Sequence, residues 1–384
     1  MTTSLWNDEQ ELPIQHLRII DMTVMLPGPF LTRLLAQYGA DVIKVENLPH
    51  GDPMRSVPDT SLFELLNQGK RSIGIDLTQE EGVALVRQLA GEADVFIENF
   101  REGVMEKYNL GYAELTEDNP DLLYVSLRGL SGNKAVHAAH DLNFIGASGV
   151  GEWHLESGTH YATQYGDMIG GALVPALKLM FHLANPARRG MHLVSHMDEC
   201  FRSVFLPRAY DAFKAMSLPE DQRENFGIQR SICGEYPHSR FYVCRDKQWV
   251  SLNAIQSKHW ETFCEVVDKV NWKDRMWDKT LIPEVEKLFL SAPSNYWEAL
   301  SGEREACLFR VVPWEEHLSF SQAQSQLASD PMTWGGFAGR PNLRDAPALG
   351  FDTFSVLNSM GISHKQISDW HQSGVLSRSE TSSS

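Results

Sequence analysis

Residues 17–46 read LRIIDMTVMLPGPFLTRLLAQYGADVIKVE, and this stretch decides the fold. Leu17–Asp21 (LRIID) is a short apolar run of the kind that forms a buried strand. LPGPF follows, and then an amphipathic stretch from Phe30 to Tyr38. Pro29 sits where a first helical residue would sit, and Gly39 where a C′ glycine would. Asp41–Glu46 (DVIKVE) is strand-like again. Strand, helix and strand in so short a span predict a parallel sheet with helices on its faces.

Working outward, Ser72–Leu77, the helical stretch Gln79–Leu89, Asp94–Ile97 and Leu122–Leu127 continue the alternation. A long helix is expected over Met168–Leu183, followed by the turn Asn185–Gly190 (NPARRG). From about residue 223 to 313 the composition changes. Tryptophan and tyrosine become frequent, and the strand candidates Ser239–Cys244 and Trp249–Leu252 flank the turn Arg245–Gln248. Amphipathic helices such as Trp260–Val267 follow. This predicts a large α/β domain over residues 1–222 and a smaller α+β domain over 223–313. Residues 314–376 form a further segment, and 377–384 (SRSETSSS) a polar tail expected to be disordered. The tryptophans and methionines serve either a packed core or an apolar ligand.

The composition narrows the function. The chain has 384 residues, 42% apolar and 22% charged, which is ordinary for a globular protein and excludes a disordered or rod-like chain. Lys plus Arg is 34 and Asp plus Glu is 50, a net charge of −16. Such a chain is a poor partner for nucleic acid or an anionic membrane, and an anionic ligand would need a local basic cluster. The five cysteines are odd in number and none is in CxxC spacing, which argues against a disulfide framework and a zinc site. The acidic N-terminus has no apolar core of a signal peptide, and Ile169–Ala184, with Lys178 inside it, is too short and polar to span a bilayer. A cytoplasmic compartment is expected. GASGVG (Gly146–Gly151) has its glycines in the wrong order for dinucleotide binding, and HExxH, GxSxG and Walker A patterns are absent.

Four features can carry chemistry. Lys70–Arg71 stands at a strand start. Glu98–Arg101 (ENFR) follows a strand end, with Lys107 beyond it. Ligands of open α/β sheets sit in loops at the C-terminal ends of strands, so these basic residues either neutralise phosphates or form a solvated charged face. The third feature is His140-Asp141-Leu142-Asn143. The fourth is Tyr165-Gly166-Asp167 before an apolar helix. Asp167 is placed like an N-cap, with a structural reading (capping alone) and a functional one. Gly170 and Gly171 in a first helical turn cost stability, and close approach by a ligand would explain them.

With their surroundings these residues resemble a known family. DMTVMLPGPFLTRLLAQYGADVIKVE, GDPMR (Gly51–Arg55), NQGKRSIGIDL, ENFREGVMEKYNLGYAEL, NPDLLYVSLRG, HDLNFIGASG and YGDMIGG are similar to the class III CoA-transferase (CaiB/BaiF) and α-methylacyl-CoA racemase superfamily. The resemblance is dense over about residues 15–200, thinner from 230 to 260 and weak after 310. It implies a Rossmann-like large domain to which the C-terminal segment returns, a small domain between, and two ring-shaped chains interlocked as a homodimer. It also implies an acyl-CoA thioester as substrate, with no tightly bound cofactor and no metal. By position, Met25 and Leu26 would lie on the pantetheine path. Ile75, Asp76, Leu77 and Thr78 would lie at the adenine, and Asn99, Phe100, Arg101 and Lys107 along the nucleotide. Many relatives have an arginine where this chain has Asn47.

The superfamily holds two chemistries. In the transferases the aspartate matching Asp167 attacks the thioester as a nucleophile. In the racemases the same aspartate and a histidine matching His140 exchange the α-proton at C2, and backbone N–H groups near Gly170–Gly171 would stabilise the enolate. His140, Asp141 and Asn143 spell the racemase run. Gln256 in Asn253-Ala254-Ile255-Gln256 replaces a racemase glutamate, and Gly166–Asp167 also fits the transferases. Racemase is the first reading and CoA transfer the second. A CoA-binding protein without turnover is the third.

Overall fold

The fold is given by a computed structural model, which describes residues 12–135, 137–151, 163–185, 190–223, 234–313, 316 and 344–377. The chain forms two compact units, Met1–Val204 with Ser329–Ser384, and Phe205–Ala328.

The first unit is a six-stranded parallel sheet. Strands β1 (Arg18–Asp21), β2 (Asp41–Asn47), β3 (Arg71–Ile75), β4 (Val95–Glu98), β5 (Leu123–Arg128) and β6 (Met191–His196) stand in the order β3-β2-β1-β4-β5-β6. The register places Ile20 beside Ile43 and Phe96. The chain winds outward from β1 to β3, then crosses back to β4 and winds the other way. The switch point therefore lies between β1 and β4, where open sheets of this type hold ligands. Adjacent residues of β1 point to opposite faces. Ile19 joins a core with Val42, Val95 and helix α1 (Pro27–Gln37), while Ile20 joins the other with Ile43, Phe96 and α2 (Glu80–Gly91). Helix α1 starts at Pro27, two residues earlier than the sequence suggests. It ends before Gly39, whose φ of 109° is the left-handed turn that glycine makes at low cost.

Farther along come α3 (Asp141–Ala147), a π-helix over Gly166–Leu173 that continues as α4 (Val174–Leu183), and α5 (Met197–Val204). The expected long helix is therefore partly π-wound. Strand β6 was not foreseen from the sequence.

The second unit has an antiparallel sheet β7 (Ser239–Val243), β8 (Trp249–Asn253) and β9 (Leu308–Arg310), with α6 (Ser257–Val266) among its helices. Three of its tryptophans are core, whereas Trp249 and Trp277 are exposed. Trp260, Trp272 and Trp297 are buried, and Trp260 and Trp297 donate their indole N–H to the carbonyls of Trp272 and Phe289, both at 3.0 Å.

The last described segment carries α7 (Thr353–Ser359) and α8 (His364–Ser373) and lies along β3, an edge of the six-stranded sheet. Asp352 N–H donates to the Ser72 carbonyl at 2.9 Å, and Ser72 N–H donates to the Asp352 carboxylate, also at 2.9 Å. Ser377 N–H reaches the Gly74 carbonyl at 3.0 Å, and Asp76 N–H reaches Val375 at 2.8 Å. The exposed edge that would invite aggregation is thereby occupied. Ser377, assigned to the polar tail by sequence, is buried here. Residues 378–384 and the centre of the turn NPARRG lie outside the described residues.

Around Asp21, at the C-terminal end of β1, lies a group of buried charges. Asp21 Oδ2 accepts from Lys70 Nζ at 3.1 Å and from Thr32 at 2.7 Å. Lys44 Nζ pairs with Asp52 at 2.9 Å and donates to the Thr23 carbonyl at 2.7 Å. Burial alone would push the Asp21 carboxyl up, but Lys70, Lys44 and the Thr23 and Thr32 hydroxyls outweigh it and hold it down to about 2. Removing one member of such a group leaves a charge buried and uncompensated, which costs about 3–5 kcal/mol. Asp21→Asn should therefore lower the unfolding free energy by that amount in urea titration at pH 7. A loss under about 1 kcal/mol, the range of an exposed pair, would contradict this account.

Candidate active site

His140 lies just before α3 in extended backbone, φ −131° and ψ 178°. Its N–H donates to Asn143 Oδ1 at 3.0 Å, and Asn143 N–H donates back to the His140 carbonyl at 2.8 Å. The HDLN run is thus a helix-start turn that leaves the His140 ring exposed. Asp141 points the other way and is buried. Its Oδ1 accepts the N–H of Asp167 at 2.9 Å, across 26 residues of chain. A Cβ at Gly166 would stand 2.9 Å from the Asp141 carbonyl oxygen, so residue 166 must be glycine for the two segments to meet. Asp141, to which the sequence assigned no role of its own, joins the two motifs.

Asp167 lies one residue inside the π-helix, not at its cap. Among the described residues no hydrogen bond reaches its carboxylate. Burial first, and the neighbouring Asp141 carboxylate second, raise its carboxyl to about 7. Such a group holds and releases a proton at neutral pH. π-turns inside helices often mark functional positions, and this one begins at Gly166. The glycines that follow have a different cause from the one expected. A Cβ at Gly170 would lie 2.3 Å from the Met197 carbonyl, and one at Gly171 would lie 2.5 Å from Pro27 Cβ. The close approach is by α5 and α1 of the protein itself.

The residues expected along CoA fall into two groups. Met25, Leu26, Asn47, Asp76, Leu77, Thr78, Asn99, Phe100 and Arg101 all follow or end strands β1–β4, at the C-terminal end of the parallel strands. Met25 has φ 67°, a left-handed conformation costly for a side chain of its kind, and is held there. Its N–H donates to Asp52 Oδ1 at 3.0 Å, while Asn99 grips the preceding residue, accepting from Val24 N–H and donating to its carbonyl, both at 2.9 Å. Leu26 is buried. Asn47 Oδ1 accepts the Leu77 N–H at 3.0 Å, so the amide found in place of arginine has a structural task. Ile75 and Leu77 are core residues, and Asp76 accepts from Thr78 N–H at 2.9 Å. Phe100 donates its N–H to Glu98 at 2.8 Å and accepts from Arg128 at its carbonyl, also at 2.8 Å. Arg101 and Lys107 are exposed, and among the described residues neither enters an ion pair.

Lys70 and Arg71 do not join them. Lys70 is fully buried, and its ammonium donates to Asp21, the Pro29 carbonyl at 3.0 Å and Asn67 at 2.8 Å, which leaves no hydrogen for a phosphate. Arg71 is paired with Asp41 through Nε at 2.8 Å. It opens β3 whereas Asp76 follows the strand, so roughly 16 Å of strand separates the two backbones. In the second unit Gln256 is exposed just before α6, and its carbonyl accepts from Trp260 N–H at 3.1 Å.

Comparison with known proteins identifies the family. The sequence model of CoA-transferase family III matches residues 14–352. The α-methylacyl-CoA racemase of Homo sapiens is 27% identical over 97% of this chain and all of its own length. The succinyl-CoA:mesaconate CoA-transferase of Haloarcula hispanica is 32% identical over 67% of each chain. Among solved structures, a CaiB/BaiF family protein from Brucella suis superposes with a TM-score of 0.73 at 20% identity, over 91% of this chain and all of that one.

The raised Asp167 carboxyl has a consequence for stability. Between its unfolded value, 3.8, and about 7 the folded chain binds the extra proton, so stability falls as pH rises through that window. Asparagine carries no such penalty. Asp167→Asn should be more stable than the native chain at pH 8 by on the order of 1–2 kcal/mol after solvent screening, and should lose that advantage by pH 4. Urea melts at the two pH values measure it. An advantage independent of pH would show that Asp167 is not held in its acid form.

Proposed function

The chain belongs to CoA-transferase family III, and we propose that it acts on an acyl-CoA thioester by moving the α-proton, as a racemase or epimerase of a 2-methylacyl-CoA. The observation that supports this reading is the Asp167 carboxyl, raised to about 7 beside Asp141 and tied to the segment that starts at His140. A group with a pKa near the working pH is the best proton carrier in both directions. In this reading His140 and Asp167 flank C2. One takes the α-proton, the thioester oxygen carries the enolate charge, and the other returns a proton to the opposite face. CoA lies along the strand ends, with pantetheine at Met25–Leu26, adenine by Ile75–Thr78, and phosphates near Arg101 and Lys107. The thioester brings its own CoA, and the proposed chemistry calls for no bound cofactor.

Intermolecular or intramolecular CoA transfer is the second reading. Gln256, an amide where the racemase pattern has a glutamate, and the likeness to the CoA-transferase of Haloarcula hispanica favour it. Asp167 would attack the thioester carbon and expel CoA thiolate, giving a mixed anhydride. The thiolate would then attack the aspartyl carbonyl, releasing the acid and leaving an aspartyl-CoA thioester. This requires the ionised carboxylate, which a value near 7 supplies only in part at neutral pH.

One incubation separates the two. With a 2-methylacyl-CoA in deuterated water and no acceptor acid, the racemase reading gives α-deuterium and both epimers, and His140→Ala abolishes inversion. Label passing from a free acid into the thioester pool without α-exchange would overturn it in favour of transfer. We also propose that two chains interlock as a homodimer. Sedimentation of a micromolar sample should give twice the single-chain mass, and a folded species of single-chain mass would refute it.

A further inference from the structure

We propose that Arg128 is a positioning residue for the CoA-binding loop, acting through Glu98 and Phe100; the inference rests on the CoA reading above. Arg128 ends β5, and its guanidinium is largely covered. Its Nη1 lies 2.7 Å from Glu98 Oε1 and 2.9 Å from Oε2, and donates to the Phe100 carbonyl at 2.8 Å. Glu98, the last residue of β4, is fully buried. Its Oε2 accepts the Phe100 N–H at 2.8 Å, and its Oε1 accepts the Ser126 hydroxyl at 2.6 Å. Because Ser126 gives its hydrogen to Glu98, its oxygen accepts from His192 Nε2 at 2.9 Å, which fixes the ring's tautomer.

Both backbone polar groups of Phe100 are therefore held by charged side chains, one from the residue two before it and one from the next strand. With that peptide fixed, Asn99 projects its amide onto Val24 N–H and C=O. A continuous set of bonds runs from Arg128 through Phe100 and Asn99 to the strained Val24–Met25 turn. Arg101 leaves the same loop directly after Phe100. Charge-assisted bonds of this length are the strong ones, and buried here they are weakly screened. In this chain Arg128 itself need touch no CoA atom. It sets where Asn99, Phe100 and Arg101 stand, and a displacement of such groups by about an ångström costs large factors in binding or rate.

The test must keep the buried carboxylate from being stranded. In Arg128→Met with Glu98→Gln, both charges go together, so no buried charge is stranded, but nothing holds the Phe100 carbonyl. Its dissociation constant for CoA by calorimetry should rise roughly tenfold, with KM for the acyl-CoA rising in step and kcat falling far less. Arg128→Lys keeps a cation opposite Glu98 and should recover most of the affinity. If the double variant does not fold, Arg128→Lys alone carries the test, with an expected loss of roughly threefold. Unchanged CoA affinity in both variants, or a fall in kcat with KM unmoved, would overturn the assignment. Failure of the CoA reading shows itself separately, because the native chain would then bind no CoA.

Discussion

Asp21 has no access to water, yet it is ionised, because Lys70, just before β3, donates to it and the positive charge of Lys44 in β2 stands near it. Each cation is in turn committed. Lys70 turns to Pro29 and Asn67, and Lys44 to Thr23 and Asp52. Asp52 then takes the N–H of Met25 with its other oxygen. The charges thus do more than tolerate one another: they tie β1, β2, β3 and the start of α1 into one rigid corner. The Met25 backbone, in a conformation its own side chain disfavours, is held by that corner and by Asn99. Ionic groups in a core are a poor source of stability compared with apolar packing, but their partner requirements leave this corner few alternative geometries.

A second carboxylate pair works in the opposite sense. Asp141 accepts the backbone N–H of Asp167 and, by its charge, discourages Asp167 from ionising. Asp21 is forced to stay charged and Asp167 is encouraged to keep its proton. The difference follows from the neighbours: two ammonium groups and two hydroxyls in one case, burial and a like charge in the other.

Much of this was legible in the sequence. Strand–helix–strand alternation around LRIID and DVIKVE predicts the parallel sheet, because apolar runs of strand length between turn residues have few other uses. The HDLN and YGD motifs identify the region of His140 and Asp167. What the sequence could not convey is where a cation's hydrogens go. Lys70–Arg71 and Arg101–Lys107 look alike as charge clusters, but Lys70 is consumed by Asp21, which lies 49 positions away. Gly170 and Gly171 suggest room for a ligand, but it is Met197 and Pro27 that need the room. β6 was missed because Met191–His196 alternates too many polar groups for a fully buried strand, which suits its place at the sheet edge.

The segment along β3 has a consequence for synthesis. Ser72 and Asp352, which bond each other twice, are 280 positions apart. At about 5–20 residues per second, a ribosome takes roughly 15–55 s to make the intervening chain. Throughout that interval β3 has been translated while the residues that cover its outer edge do not yet exist. The second unit is translated entirely within it. The nascent chain therefore carries an unfinished strand edge for far longer than most strands take to pair, and completion of the sheet waits until residues 352–377 have been made.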